Sequence, residues 1–106
     1  MLIKYREIFK LMYLLDVNKI KYEFYDRSQE NVYGKGNHFI HFQIIINKKN
    51  TSERAFSIIE GFGTYGSEDD KLEVMNYFEA DSEDHVLGYL SADEVLAIVN
   101  KNITYI

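Results

Sequence analysis

The stretch that decides the fold is His38-Phe39-Ile40-His41-Phe42-Gln43-Ile44-Ile45-Ile46-Asn47, then Lys48-Lys49-Asn50-Thr51-Ser52-Glu53, then Arg54-Ala55-Phe56-Ser57-Ile58-Ile59-Glu60. Ile40, Phe42, Ile44 and Ile46 recur at every second position, the period of a strand with one buried face. His41, Gln43, Phe39 and Ile45 fall on the other face. Apolar residues on both faces predict a central strand, or one covered on its second side, over 38–47. Lys48-Lys49-Asn50 reads as a hairpin turn. Residues 54–60 then form the next strand, with Phe56 and Ile58 on one face and Ala55, Ser57 and Ile59 on the other. So short a link favours antiparallel pairing over a crossover.

Working toward the N-terminus, Ile20, Tyr22 and Phe24 alternate with Lys21, Glu23 and Tyr25, which predicts a strand over 20–26. Residues 27–37 are a polar loop. Before them, Tyr5, Ile8, Phe9, Met12 and Leu15 make one apolar stripe at helical spacing, widened by Leu11 and Leu14, so 3–17 is a helix. Asn18 is its expected left-handed stop.

Working toward the C-terminus, Gly61-Phe62-Gly63-Thr64-Tyr65-Gly66 is a loop, and Ser67 starts a second helix over 67–78. Glu68, Asp69 and Asp70 suit its positive end, and Leu72, Met75 and Phe78 repeat at helical spacing. The alternative is a strand with Leu72, Val74 and Phe78 inward. Glu79 to His85 is an acidic linker and 86–90 a short strand. Ser91-Ala92-Asp93-Glu94 is a capping box, with Leu90 and Val95 placed as a hydrophobic staple. Val95, Ile98, Val99 and Ile103 form the last helix's buried stripe. The expectation is a single α+β domain over 1–106. It holds a three-stranded, mostly antiparallel sheet, a short further strand and three helices packed on one sheet face.

Composition narrows function. The chain has no Cys, which excludes disulfides, a thiolate nucleophile and thiolate zinc ligands. Met1-Leu2-Ile3-Lys4 leads into a charge-bearing stretch, so neither a signal peptide nor a membrane span is expected, and the expected location is cytoplasmic. The net charge of −5 argues against general nucleic-acid binding. The charge is also uneven. Residues 1–54 hold ten Lys/Arg and six Asp/Glu, whereas residues 55–106 hold two and eleven. Such asymmetry marks a charged partner surface or two halves that pair their charges on folding, and the second is the ordinary case.

Gly61-Phe62-Gly63-Thr64-Tyr65-Gly66 matches the G-x-G-x-x-G dinucleotide fingerprint, with Asp81 and Glu83 at the spacing of a ribose-binding acid. Three points count against it. Glu68, Asp69 and Asp70 would repel an anion held there. The expected helix starts after the glycines rather than within them. The chain is too short for a doubly wound sheet. The glycines are better read as a tight connection that needs unusual backbone angles. Glu60 ends a strand beside that loop and is the most suggestive carboxylate, although hydrogen bonds to loop backbone N–H groups are the better explanation of it. The candidate ligand residues are therefore Glu60, Gly61, Gly63, Tyr65 and Gly66.

His38 and His41 fall on opposite strand faces, and Asp81, Glu83, Asp84 and His85 lack a calcium-loop register, so no metal and no cofactor is expected. Phe62 and Tyr65, with Tyr25 and Phe39, would make an aromatic contact surface or ordinary packing. The candidate partner-binding residues are Glu68, Asp69, Asp70, Asp81, Glu83 and Asp84.

Ser57-Ile58-Ile59-Glu60-Gly61-Phe62-Gly63-Thr64-Tyr65-Gly66, Leu72-Glu73-Val74-Met75 and Val86-Leu87-Gly88-Tyr89-Leu90-Ser91-Ala92-Asp93-Glu94-Val95 share a pattern with small phage and prophage proteins of Gram-positive bacteria. Those proteins carry S-V-I-E-G-x-G-S-Y-G, L-E-I-M and V-x-G-Y-L-T-A-E-E-V. Tyr5 to Leu11 and Tyr22 to Arg27 are similar too, so the resemblance covers most of the chain outside 28–37 and 47–53. It implies a setting, an intracellular accessory protein carried on a mobile element, and no particular chemistry. Within that setting the expected role is non-enzymatic binding of a protein partner, such as a host factor, through an acidic face. The alternatives are a small-ligand or nucleotide-binding domain using the Gly61–Gly66 loop, and a self-associating subunit, most simply a homodimer.

Overall fold

The computed structural model describes residues 6–27, 40–60, 71–78 and 86–106. In chain order these are helix α1 (Arg6–Val17), strands β1 (Glu23–Asp26), β2 (Phe42–Asn47), β3 (Arg54–Glu60), β4 (Leu72–Asn76) and β5 (Val86–Leu90), and helix α2 (Ala92–Asn100). A 3-10 turn, Ile103–Tyr105, follows. The strands form one antiparallel sheet in the order β1-β2-β3-β4-β5, each beside its neighbours in sequence.

The expected second helix over 67–78 is overturned where the structure describes it, because Leu72–Asn76 is a strand. Helical spacing would bury Leu72, Met75 and Phe78 together. Strand spacing buries Leu72 and Val74 on one face and leaves Met75 half-exposed on the other. The sheet decides the contest: Val74 lies opposite Ile58, and Ile58 opposite Ile44, so this row of apolar side chains shares one face. Phe78, beyond the strand's end, still packs against the core. Ser67 and Glu68, Asp69 and Asp70 lie outside the described residues. The sheet therefore has five strands rather than three and a short one, and the described helices number two.

Both helices cover the Ile44–Ile58–Val74 face. Ile8, Leu11 and Leu15 of α1 and Ala92, Val95 and Val99 of α2 join Ile44, Ile46, Phe56, Ile58, Leu72 and Val74 in a single buried cluster. Ala55 belongs to it as well, against the expectation that it faces away. The β2–β3 register slips between Ile46 and Asn47, which face Phe56 and Arg54, and leaves Ala55 as an extra bulged residue. The hairpin turn at 48–53 is as expected. Lys48 N–H donates to the Glu53 carbonyl at 2.8 Å, Thr51 N–H to the Lys48 carbonyl at 3.1 Å, and Asn50 takes φ 59°.

The end of α1 differs from expectation by one residue. Lys19, not Asn18, takes the left-handed conformation, at φ 57°. The N–H of Ile20 reaches the Leu15 carbonyl at 2.9 Å and that of Lys19 reaches Asp16 at 3.1 Å, the paired bonds of a Schellman motif. Asn18 instead bonds the Leu14 carbonyl through both its backbone N–H and its side chain. Ile20 is buried next to this turn, and regular β1 pairing begins only at Glu23.

Helix α2 starts at the expected capping box: Glu94 N–H donates to Ser91 Oγ at 3.2 Å and Ser91 N–H to Glu94 Oε1 at 3.1 Å. Its far end corrects the predicted stripe. The helix stops at Asn100, the 3-10 turn changes the phase, and Ile103 is exposed while Ile106 packs on the core. Replacing Ser91 with Ala removes one of the two reciprocal bonds and should lower folding stability by about 1 kcal/mol, read as a lower urea midpoint with an unchanged slope.

Candidate functional site

Antiparallel meander topology sets which chain ends meet. The C-terminal ends of β1 and β3, the N-terminal end of β4 and the C-terminal end of β5 lie at one edge of the sheet, since Asp26 is opposite Phe42, Phe42 opposite Glu60, and Leu72 opposite Leu90. Helix α2 begins here. The first turns of α1 and α2 are joined at this edge: Ala92 N–H donates to Glu7 Oε1 at 3.0 Å, and Lys10 Nζ donates to Asp93 Oδ2 at 2.8 Å. The Asp93 carboxylate raises the Lys10 pKa, first through that hydrogen bond and then through its charge.

Glu60 is fully enclosed at this edge. It shares the helix-covered face with Phe42, its cross-strand partner. The Phe42 ring stacks on Phe24 at 5.7 Å and meets Phe9 edge-on at 5.2 Å. The His41 ring sits 4.5 Å from Phe42, and the His41 N–H donates to the Glu60 carbonyl at 3.1 Å. A carboxyl group in such surroundings is costly to ionise unless it is hydrogen-bonded, so Glu60 is a component of the interior rather than an exposed reagent. Of the ligand residues expected from the sequence, Glu60 alone is described. Gly61, Gly63, Tyr65 and Gly66 lie outside the described residues, as do Glu68, Asp69, Asp70, Asp81, Glu83 and Asp84 of the expected partner surface, the aromatics Phe39 and Phe62, and the histidines His38 and His85.

The topology bears directly on the glycine fingerprint. A dinucleotide fingerprint joins a strand to a helix within a unit whose two strands are parallel. Here the strand before the glycines and the strand after them are antiparallel neighbours, with Phe56 opposite Asn76 and Ile59 opposite Glu73. Strands β3 and β4 therefore do not make the parallel pair of a βαβ unit, the context that gives the motif its meaning. Among the described residues no cluster of three or more His, Asp or Glu side chains could hold a metal ion.

The sheet's other face carries a polar feature that the sequence reading placed there without giving it partners. Gln43 and Ser57 are each only 6% exposed. Arg27 Nε donates to Gln43 Oε1 at 2.5 Å, and Gln43 Nε2 donates to Ser57 Oγ at 2.8 Å, giving a polar line across three successive chain segments. The Arg27 guanidinium also lies over the Tyr25 ring, 4.6 Å from its centroid. Tyr25 is half-buried here. Its hydroxyl donates to the Glu23 carboxylate, and that bond, more than desolvation, raises its pKa. Glu73, in the same row as Gln43 and Ile59, is buried as well. The available signal was an amide and a hydroxyl set among Phe and Ile at strand positions with apolar neighbours on both faces.

This geometry orders a sheet face; it does not assemble a nucleophile, a base and an oxyanion pocket among the described residues. Replacing Gln43 with Ala strips both bonds and should destabilise the fold by about 1–3 kcal/mol, while Ser57→Ala on top of it should add much less than it does alone. A second expectation concerns alkaline pH. Burial, aided by a hydrogen bond to Asp16, raises the Tyr22 pKa above 10.0, and Tyr25 is raised too. The linked stability is fully present below the unfolded pKa and is lost as pH rises through the higher folded value. Urea midpoints should therefore hold steady up to about pH 10 and then fall, less steeply in Tyr22→Phe.

No family model matches the chain, and neither a curated protein nor a solved structure matches it.

Proposed function

We propose that this protein is a non-enzymatic accessory protein that works by binding another protein through acidic residues of its second half. The observation that carries the reading is how that half's acidity is used. Of its eleven Asp and Glu residues, Glu60 and Glu73 are buried in the sheet, Asp93 pairs with Lys10, and Glu94 closes the capping box. The other seven are Glu68, Asp69, Asp70, Glu79, Asp81, Glu83 and Asp84. They fall in the two connections that flank β4, outside the described residues. Clustered charge of one sign costs self-repulsion and speeds encounter with a basic partner.

The Glu68–Asp70 run precedes β4 in the sequence and the Asp81–Asp84 run follows it, so the two can be tested apart. We assign the contact to the Glu68–Asp70 run, whose three carboxylates are consecutive and so make the denser charge. The resemblance to phage and prophage proteins supplies the setting, a cytoplasmic protein acting on a host factor. Among the described residues no helix is long and apolar enough to cross a membrane.

The test is affinity capture from a Gram-positive lysate with mass identification, repeated with Glu68→Gln/Asp69→Asn/Asp70→Asn and with Asp81→Asn/Glu83→Gln/Asp84→Asn. The first triple variant should lose most of the captured partner and the second should keep it; equal capture by all three proteins removes the acidic contact. The competing role, a small ligand at Gly61–Gly66 with Glu60 at its root, predicts a rise in melting temperature with added nucleotide. On the reading advanced here ATP, GTP and NAD leave it unchanged.

A further inference from the structure

Helix α1 carries apolar side chains beyond those the core encloses. Ile8, Leu11 and Leu15 are fully buried, whereas Phe9, Tyr13 and Val17 are 48%, 66% and 59% exposed. The exposed three are spaced four residues apart and so form one continuous ridge, anchored at Phe9, whose ring also meets Phe24 and Phe42 at the flank of the core. Isolated exposed hydrophobics are ordinary, but a ridge spanning the whole helix is not. Arg6 stands at one end of this surface and Asp16 near the other, both exposed.

The arrangement is self-complementary. Arg6 and Asp16 are placed symmetrically about Leu11, and so are Phe9 and Tyr13. A two-fold axis at the level of Leu11 that sets two α1 helices antiparallel brings Arg6 of one copy to the level of Asp16 of the other, twice, and Phe9 to the level of Tyr13, twice. That is the condition for a two-fold interface, in which residue i meets residue j and j meets i. A parallel arrangement would instead set like charges at the same level. We infer that the outer face of α1 is a homodimer interface, formed by antiparallel packing of two copies through the Phe9–Tyr13–Val17 ridge, with Arg6 and Asp16 fixing the register. Asp16 keeps its bond from the Tyr22 hydroxyl, since a carboxylate has several acceptor sites, and the guanidinium of Arg6 has five N–H donors.

The helix has 12 residues and so spans about 18 Å, less than a standard interface of about 800 Å² per partner needs. The dimer is consequently weak, concentration-dependent and salt-sensitive. It uses different residues from the acidic runs, and neither proposal depends on the other.

Sedimentation velocity on the intact chain, from about 10 µM to about 1 mM, provides the test. The mass should rise from 12.5 kDa toward twice that value with concentration, and less so at high salt. Arg6→Glu and Asp16→Arg should each shift the protein to monomer, because each sets like charges at the same level at both ends of the pair. The double variant Arg6→Glu/Asp16→Arg should recover dimerisation, an outcome that a merely structural role for either residue would not produce. Tyr13→Glu should give monomer with an unchanged melting curve and so separates loss of association from loss of fold. A wild-type protein that stays at 12.5 kDa throughout, or single-charge variants that dimerise as well as wild type, would overturn the assignment. So would a double variant that folds but stays monomeric.

Discussion

The row Ile44–Ile58–Val74, running across the three inner strands, is the constraint on which the rest of the structure depends. These side chains point to the same side because the strands are in register, and that side is where both helices bury their apolar stripes. A slip of one residue in any of the three strands would turn its whole set over and expose the core. The chain has no disulfide to hold it, so agreement between strand register and helix coverage has to do the holding.

The β2–β3 hairpin was readable in the sequence because local and global preferences agree there. Alternating isoleucines, a Lys-Lys-Asn turn and a second alternating run all specify the same thing. The last helix was readable for the same reason, since its capping box is a purely local device. Strand β4 was harder because Leu72-Glu73-Val74-Met75 satisfies two periods at once, and an acidic run before it imitates the start of a helix. What tipped the balance is the free edge of β3, a tertiary partner that no local window contains. Ala55 and Lys19 were misplaced by one position each, both where the backbone leaves its regular repeat.

The candidate site was legible in part. Glu60 stood out as a carboxylate at a strand end, and the structure encloses it completely. Its cross-strand partner Phe42 is held in an aromatic group drawn from α1, β1 and β2, which depends on contacts between positions far apart in sequence. The Arg27–Gln43–Ser57 line was not legible because it joins a residue read as part of a polar loop to two strand residues 16 and 30 positions away. Isoleucine on both sides of Gln43 was the counter-signal, because a strand that is apolar on both faces leaves its polar residues little water to meet.

The meander order has a consequence for how the chain finds its shape. Every strand pairs with the one before it, so the sheet is assembled from closures of neighbouring segments, whose entropic cost grows only slowly with loop length. The helix pair is different: Glu7 and Ala92 lie 85 positions apart, so their junction is a long-range event. The covering of the sheet therefore depends on two helices that lie far apart in the sequence meeting over it.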